Sequence, residues 1–354
     1  MKEYSLIKDT KFEKGLQVRA EGIPIYKDEK GTPEWFDNRN TDTKLIFNYK
    51  GKGYTHDLSV LPPWRLAQWA SRYSFTDVDN TVVETDVDGK QSYSYRFFKD
   101  GDNAVYDNTS KTVVVNPVSG EITLALRAGK CYKKIKEDGQ EWPHLLIEQD
   151  IANETQAKAD DRFSIGKSKA LKMRLNMRLN TFSDVKMPKP VDCTKHAAIC
   201  MFYAYIAYLP TGSERFAQHL CMGMPVFDNR WLLGSEQPVC ENTFNKVMSQ
   251  KDGGKESAEG FWIYNVEASS FLKKEDNVYT PDFKEMSFGK WVKIDYDILP
   301  RIMVALNEAK KAGYMPKDAN IDNLFVTRMY VGFENTGIYD TDMTFSGVDI
   351  VNCF

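Results

Sequence analysis

Residues 170 to 180 alternate strictly between apolar and polar side chains. The apolar set is Leu171, Met173, Leu175, Met177 and Leu179, and the polar set is Lys172, Arg174, Asn176, Arg178 and Asn180. A period of two predicts a β-strand with one face on a core and one face outside it. The outer face would carry three positive charges and two amides, ~6.5 Å apart. Such a face suits either the binding of an elongated polar ligand or a structural ladder of charges.

Composition narrows the class of protein. The 354-residue chain has a net charge of -3, which argues against general nucleic-acid binding. No apolar stretch approaches the ~20 residues that span a bilayer. The first residues lack an apolar signal region. The protein is therefore expected to be cytoplasmic or, if a leader was removed, secreted, periplasmic or bound at the cell surface.

Motifs for metals and cofactors are absent. The six cysteines are dispersed and form no C-x-x-C pair, so no metal site is predicted. The acidic segments 86–89 and 100–103 lack the distal Glu of a calcium loop and are interpreted as hairpin turns. Neither a Walker motif nor a serine-nucleophile motif occurs. No cofactor is expected, and the sequence does not predict the oligomeric state.

The order of elements predicts an all-β fold. About fourteen strand-like runs alternate with Asp-Gly and Ser-Gly turn signals. Helical spacing occurs only near residues 297–312, where Gly313 supplies a stop. We therefore expect an antiparallel two-sheet β-sandwich, most simply a jelly roll, with one peripheral helix. Residues 1–354 would form one domain; the alternative is two β regions, 1–150 and 151–354.

The segment from Trp142 to Asp150 is the first candidate for chemistry. In a strand, Trp142, His144, Glu148 and Asp150 share one face. An aromatic ring, an imidazole and two carboxylates on one face suit sugar stacking with acid–base catalysis. The alternative is structural: His144 and Glu148 would hydrogen-bond to each other on a sheet face that is partly exposed to solvent.

The donor-rich strand could complement that face. If both strands lie in one sheet, Lys172, Arg174 and Arg178 can pair with Glu148 and Asp150. Arginine also binds carboxylates bidentately, so an acidic polysaccharide is an admissible ligand.

Two further segments supply candidate residues. Asp228, Arg230 and Trp231 follow a predicted strand and would lie at the mouth of a loop, where binding residues concentrate; Asp228 could instead bond nearby backbone amides. Near the C-terminus, Arg328, Tyr330 and Glu334 share one strand face. Glu334 would provide the second carboxylate that a glycosidase needs, or it would cap the loop that follows.

In these segments the chain resembles the concanavalin A-like jelly-roll group of bacterial polysaccharide-active proteins. The resemblance is one of pattern, in segments 142–150, 170–180, 196–208 and 328–334 and in the final strand to Ile350. It implies a jelly-roll sandwich and a polysaccharide or oligosaccharide partner. The E-x-D-x-x-E signature of the glucanase branch and the Gln-Ile-His and Tyr-Lys-x-Gly elements of the alginate-lyase branch are missing, so no catalytic residue is transferred.

The leading hypothesis is a glycoside hydrolase with a groove on one sheet. Its acid/base or nucleophile would be Glu148, with Glu334 or Asp228 as partner and His144 and Tyr330 assisting. Substrate would be bound by Trp142, Asp150, Lys172, Arg174, Asn176, Arg178, Arg328, Arg230 and Trp231. The runner-up is a lyase acting on a uronate-containing glycan. The remaining alternatives are a non-catalytic carbohydrate-binding protein and a structural β-sandwich.

Overall fold

The chain forms two large β-sheets in the computed structural model, which confirms the predicted all-β sandwich. The structure describes residues 1–12, 14, 16–18, 24–26, 33–35, 44–45, 62–67, 81–87, 90–98, 109–116, 119–131, 144–184, 196–212, 218–230, 252–257, 260–273 and 289–354. Trp142 and Trp231 lie outside these ranges.

Sheet 1 contains eight strands among the described residues. In spatial order they are β17 (Trp291–Asp297), β12 (Ala170–Asp184), β19 (Tyr339–Cys353), β10 (Glu121–Arg127), β9 (Thr109–Asn116), β8 (Lys90–Phe98) and β7 (Thr81–Val87), and β1 (Glu3–Ser5) also pairs with β19. Neighbouring strands in this sheet run antiparallel. The first and last strands of the chain are thus partners, with Glu3 opposite Cys353.

Sheet 2 contains nine described strands. Their order is β15 (Gly253–Glu256), β16 (Trp262–Asn265), β14 (Gln218–Asp228), β13 (Ala198–Tyr208), β18 (Leu324–Asn335), β11 (His144–Asp150), β6 (Trp64–Ala67), β2 (Leu16–Val18) and β5 (Lys44–Leu45). Two pairings, β14 with β16 and β2 with β6, are parallel. A separate hairpin pairs β3 (Pro24–Tyr26) with β4 (Pro33–Trp35).

The core lies between the two sheets. From sheet 1 it receives the five apolar residues of the alternating strand, each at most 1% exposed. From sheet 2 it receives one face of each central strand, including Phe202 and Val331. Burying a side chain of this size contributes ~1.5–3 kcal/mol. The alternation in the sequence therefore identified the core face of β12.

Three α-helices lie outside the sheets in the part of the chain that the structure describes. The longest, α3 (Leu299–Lys311), confirms the predicted helix and buries Ile302, Ala305, Leu306 and Ala309. The others are α1 (Ala128–Cys131) and α2 (Glu154–Ala159). The sequence did not predict α2 because only Ala157 is buried in it. It begins with a capping box between Asn153 and Gln156, which satisfies backbone donors of the first turn.

Candidate active site

The outer face of sheet 2, which points away from the core, brings the predicted catalytic residues together in rows. Residues that lie opposite each other on antiparallel strands share one face of the sheet. The register places Asp228 opposite Ile199, Ile199 opposite Glu334, and Glu334 opposite His144. These four residues form one row across β14, β13, β18 and β11, which we call the carboxylate row. Strands ~4.8 Å apart place the Cα atoms of Glu334 and Asp228 about 10 Å apart.

Glu334 is a half-buried carboxylate with a phenol beside it. The Tyr330 hydroxyl donates a hydrogen bond to Oε1 of Glu334 at 3.4 Å. Burial, followed by the neighbouring Tyr205 and Glu334, raises the pKa of Tyr330 well above its ordinary value. Tyr330 therefore stays protonated and remains a donor to Glu334 over the whole physiological pH range.

Asp228 is fixed by its neighbour Arg230. The guanidinium donates from Nε to Oδ1 and from Nη2 to Oδ2, both at 2.9 Å, and the backbone amide of Arg230 also donates to Oδ1. The Asp228 side chain is fully buried, and that of Arg230 is 12% exposed. Burial lowers the pKa of Arg230, but the charge of Asp228 outweighs that effect and raises it. The three hydrogen bonds from Arg230 therefore fix the orientation of the Asp228 carboxylate.

Glu148 lies in a different row. It faces Tyr330 on one side and Arg65 on the other, four residues along β11 from His144. That spacing puts its Cα about 13 Å along the strand from the carboxylate row. The Glu148 side chain is fully buried, and Arg65 Nε donates to its Oε1 at 3.0 Å. This environment is that of a structural ion pair, so the predicted catalytic function of Glu148 has less geometric support than that of Glu334.

Asp150 completes a four-membered ion cluster on this face. Its carboxylate accepts from Arg65 and from Arg328, each at 2.7 Å. Burial raises the pKa of Asp150, but the two arginines outweigh it and lower the pKa to about 2. Arg65 was not among the predicted site residues. The alternation of buried Trp64 and Leu66 with Arg65 was the signal that could have identified it.

Aromatic side chains continue the same face beyond Tyr330. The Tyr330 ring lies 4.8 Å from that of Tyr203 and 5.7 Å from that of Tyr205, and Phe261 meets Tyr205 edge-on at 5.6 Å. Tyr205 and Phe261 are half-buried, so parts of their rings face solvent. They provide an apolar platform of the kind that packs against sugar rings, about 20 Å along β13 from the carboxylate row. Sequence reasoning assigned that function to Trp142 and Trp231 instead.

The donor-rich strand does not join this site. The expectation that Lys172, Arg174 and Arg178 share a sheet with Glu148 and Asp150 is wrong, because β12 lies in sheet 1 and β11 in sheet 2. Lys172 and Arg174 pair instead with Glu3, and Arg174 also pairs with Asp295. Alternation along a strand specifies its two faces but carries no information about its partner strand.

Metal-ligand clusters and membrane-spanning helices are absent from the described part of the chain. It contains no group of three or more His, Cys, Asp or Glu residues that could hold a metal ion. None of its helices is long and apolar enough to cross a bilayer. Cys200, Cys221 and Cys353 are buried free thiols.

Comparisons with known proteins add the following. No protein-family model matches the chain, and no curated protein sequence matches it significantly. Similar solved structures include the endoglucanase Cel12A from Rhodothermus marinus, at 8% identity and a TM-score of 0.35, covering 77% of this chain and 98% of that one. The xyloglucanase domain of NopAA, a type three effector from Sinorhizobium fredii, has 8% identity and a TM-score of 0.32, with coverages of 78% and 98%. A family 12 xyloglucanase from Bacillus licheniformis has 8% identity and a TM-score of 0.34, with coverages of 77% and 100%. At such identities and TM-scores, the function of this chain has to be inferred from its own site.

Proposed function

We propose that this protein is a glycoside hydrolase that binds a polysaccharide across the outer face of sheet 2. The observation that supports this most is the carboxylate row, in which half-buried Glu334 accepts from Tyr330 and lies two strands from Asp228, the partner of Arg230. Glycoside hydrolysis needs one carboxyl group to protonate the leaving oxygen and a second, ionised one opposite it.

We assign different functions to Glu334 and Asp228 because their surroundings differ. Glu334 is partly exposed and hydrogen-bonded to Tyr330, and it would protonate the leaving oxygen. Asp228, which is oriented by Arg230, would activate water or attack the anomeric carbon. Because Asp228 is fully buried, contact with substrate requires Arg230 to shift. Tyr205 and Phe261 would pack against the sugar rings.

The arginines that the structure describes on this face favour a hydrolase over a lyase, because each of them is already paired with a protein carboxylate. A lyase needs a cation to neutralise the uronate carboxylate. On the described part of this face, Arg65, Arg230 and Arg328 are each engaged by a protein carboxylate. We therefore propose a neutral polysaccharide as the substrate.

The test compares Glu334→Gln with the wild type on a panel of neutral glucans, xylans and mannans, using release of reducing ends as the measurement. Glu3→Gln is the matched control, because Glu3 is also a carboxylate paired with arginine but lies on sheet 1. We expect E334Q to lose activity while E3Q keeps it. Full activity of E334Q on every substrate that the wild type cleaves would overturn the assignment.

A non-catalytic carbohydrate-binding protein is the second candidate. It is favoured by one observation: Asp228 and Glu148 are both fully buried and bound to arginine, leaving Glu334 as the more accessible carboxylate of the three. In that case the wild type binds glycans without cleaving any of them. Loss of binding in a Tyr205→Ala variant, with no hydrolysis by the wild type, would support this alternative.

A further inference from the structure

The outer face of sheet 1 has its own row of side chains, which the proposed hydrolase site does not use. Trp291 lies opposite Arg178, Arg178 opposite Thr344, and Thr344 opposite Thr123. We call these four residues the tryptophan row. It crosses β17, β12, β19 and β10, and three strand spacings give it a length of about 14 Å. That length matches a few linked sugar rings laid across the strands.

Arg178 differs from the other cations of β12. Lys172 and Arg174 are both paired with Glu3, whereas Arg178 has no ion pair within the described part of the chain. Its Nε donates to Oδ1 of Asn180 at 2.9 Å, and this is the hydrogen bond that orients the guanidinium. The two Nη groups make no hydrogen bond to a described residue. The guanidinium is therefore held in place near the charge of Asp342, with two Nη groups that can donate to a further carboxylate.

Asn180 is itself held on two sides. Its Nδ2 donates to Oδ1 of Asp342 and to Oγ1 of Thr344, each at 2.8 Å. The nearby carboxylate, Asp342, also has Arg127 as a partner at 3.9 Å. The orientation of Arg178 thus depends on a fixed network rather than on a single flexible contact, which lowers the entropy lost when a ligand binds.

Trp291 provides an apolar surface next to this fork. Its side chain is 38% exposed although it is a large aromatic residue. The guanidinium carbon of Arg178 lies 4.8 Å from the ring centroid, so the two groups stack. A sugar ring can pack on exposed indole while a group that it carries reaches the guanidinium.

We propose that the tryptophan row is a second glycan site and that its ligand carries uronic acid residues. The pyranose packs on Trp291 and its carboxylate accepts two hydrogen bonds from the Nη groups of Arg178. Thr344 is buried, so half-buried Thr123 is the residue at the far end of the row that a further sugar could reach. This site lies on the opposite sheet from the carboxylate row and does not depend on the proposed hydrolase function.

The test is affinity electrophoresis and titration calorimetry of the full chain with polygalacturonate. We expect Trp291→Ala and Arg178→Gln each to weaken binding about tenfold. Arg174→Gln is the matched control, since it removes the same charge from the same strand face, but from an arginine already engaged by Glu3 and Asp295. It should bind as the wild type does. Thermal unfolding verifies that each variant is folded, and Trp291→Phe replaces W291A if the latter is not.

Two results would overturn the proposal. In the first, W291A and R178Q bind polygalacturonate as tightly as the wild type. In the second, R174Q weakens binding as much as R178Q, which would show a general charge effect. Glu334→Gln should bind polygalacturonate normally, so a failure of this site and a failure of the proposed hydrolase function give different results.

Discussion

The carboxylates on the outer face of sheet 2 differ in what surrounds each of them, and this difference predicts how each variant behaves. Glu334 accepts from a neutral phenol and is partly exposed, whereas Glu148 is fully buried against Arg65. General acid–base catalysis contributes ~10²–10⁴-fold to a rate. We therefore expect E334Q to lower kcat about 100-fold or more while KM changes little, as measured by steady-state kinetics.

Glu148→Gln should act on stability instead. The amide keeps the shape of Glu148 but removes the negative charge from a buried pair, leaving Arg65 with Asp150 alone. Such a loss costs about 1–3 kcal/mol. Urea unfolding at neutral pH measures it, with E334Q as the comparison. This prediction gives Glu148 a structural function and Glu334 the catalytic one. It would be contradicted if E148Q unfolded like the wild type but had lost catalysis, and Glu148 would then be the catalytic acid.

The pairing of Asp150 with Arg65 and Arg328 predicts that the folded protein loses stability at low pH. Its pKa is about 2 in the folded protein, below the ordinary value of 3.8. The stabilisation is therefore complete above about pH 4 and is lost as the pH falls through 2. Because the carboxylate is half-exposed, the contribution should be on the order of 1 kcal/mol or less. Asp150→Asn should flatten the dependence of Tm on pH in this range, and an unchanged slope would contradict the prediction.

At the scale of elements, Gly332 controls how closely β18 approaches β11. It has a φ of +152°, and a Cβ there would lie 2.3 Å from the carbonyl oxygen of Leu145. Gly332→Ala should destabilise the protein by about 2–3 kcal/mol and disturb the carboxylate row beside it. Gly253→Ala is the control, because a Cβ at Gly253 meets nothing within 4 Å. Equal unfolding midpoints in urea would contradict this prediction.

The positions of most strands could be predicted from the sequence. The alternation of apolar and polar residues and the residues that form turns both depend only on neighbouring positions in the chain. The strand-like runs at residues 92–98, 121–127 and 196–208 appear as β8, β10 and β13 with small shifts of boundary. The Ser119-Gly120 turn also forms, with Gly120 at a φ of +71° and Asn116 accepting from the amide of Ser119. Strands β1, β4, β7 and β15 were not predicted.

The partners of strands could not be predicted, and the site depends on them. Both faces of β11 and β12 followed from alternation, but their assignment to different sheets is set by pairings with β18 and β19 far along the chain. The sequence identified His144, Asp228 and Glu334 as candidate residues, but their order in the carboxylate row is a property of the strand register. The single-domain organisation stays a prediction.

For the whole molecule, these long-range pairings predict slow folding. Ala170 lies opposite Cys353, and residues of β6 lie opposite residues of β11. Folding rates fall as contacting residues lie further apart in the sequence. We expect refolding from urea to take seconds or longer, measured by tryptophan fluorescence after rapid dilution. Complete refolding within milliseconds would contradict this.

The pairing of β1 with β19 has a consequence for the order of events during synthesis. Residues 3–5 bond to residues 351–353, and the backbone groups of Lys2 and Phe354 bond to each other. Strand β1 is therefore synthesised long before its partner β19. Until β19 is made, β12 and β10, which flank it, have no partner between them. The nascent chain thus exposes unpaired strand edges during this interval, when a chaperone would be most useful to it.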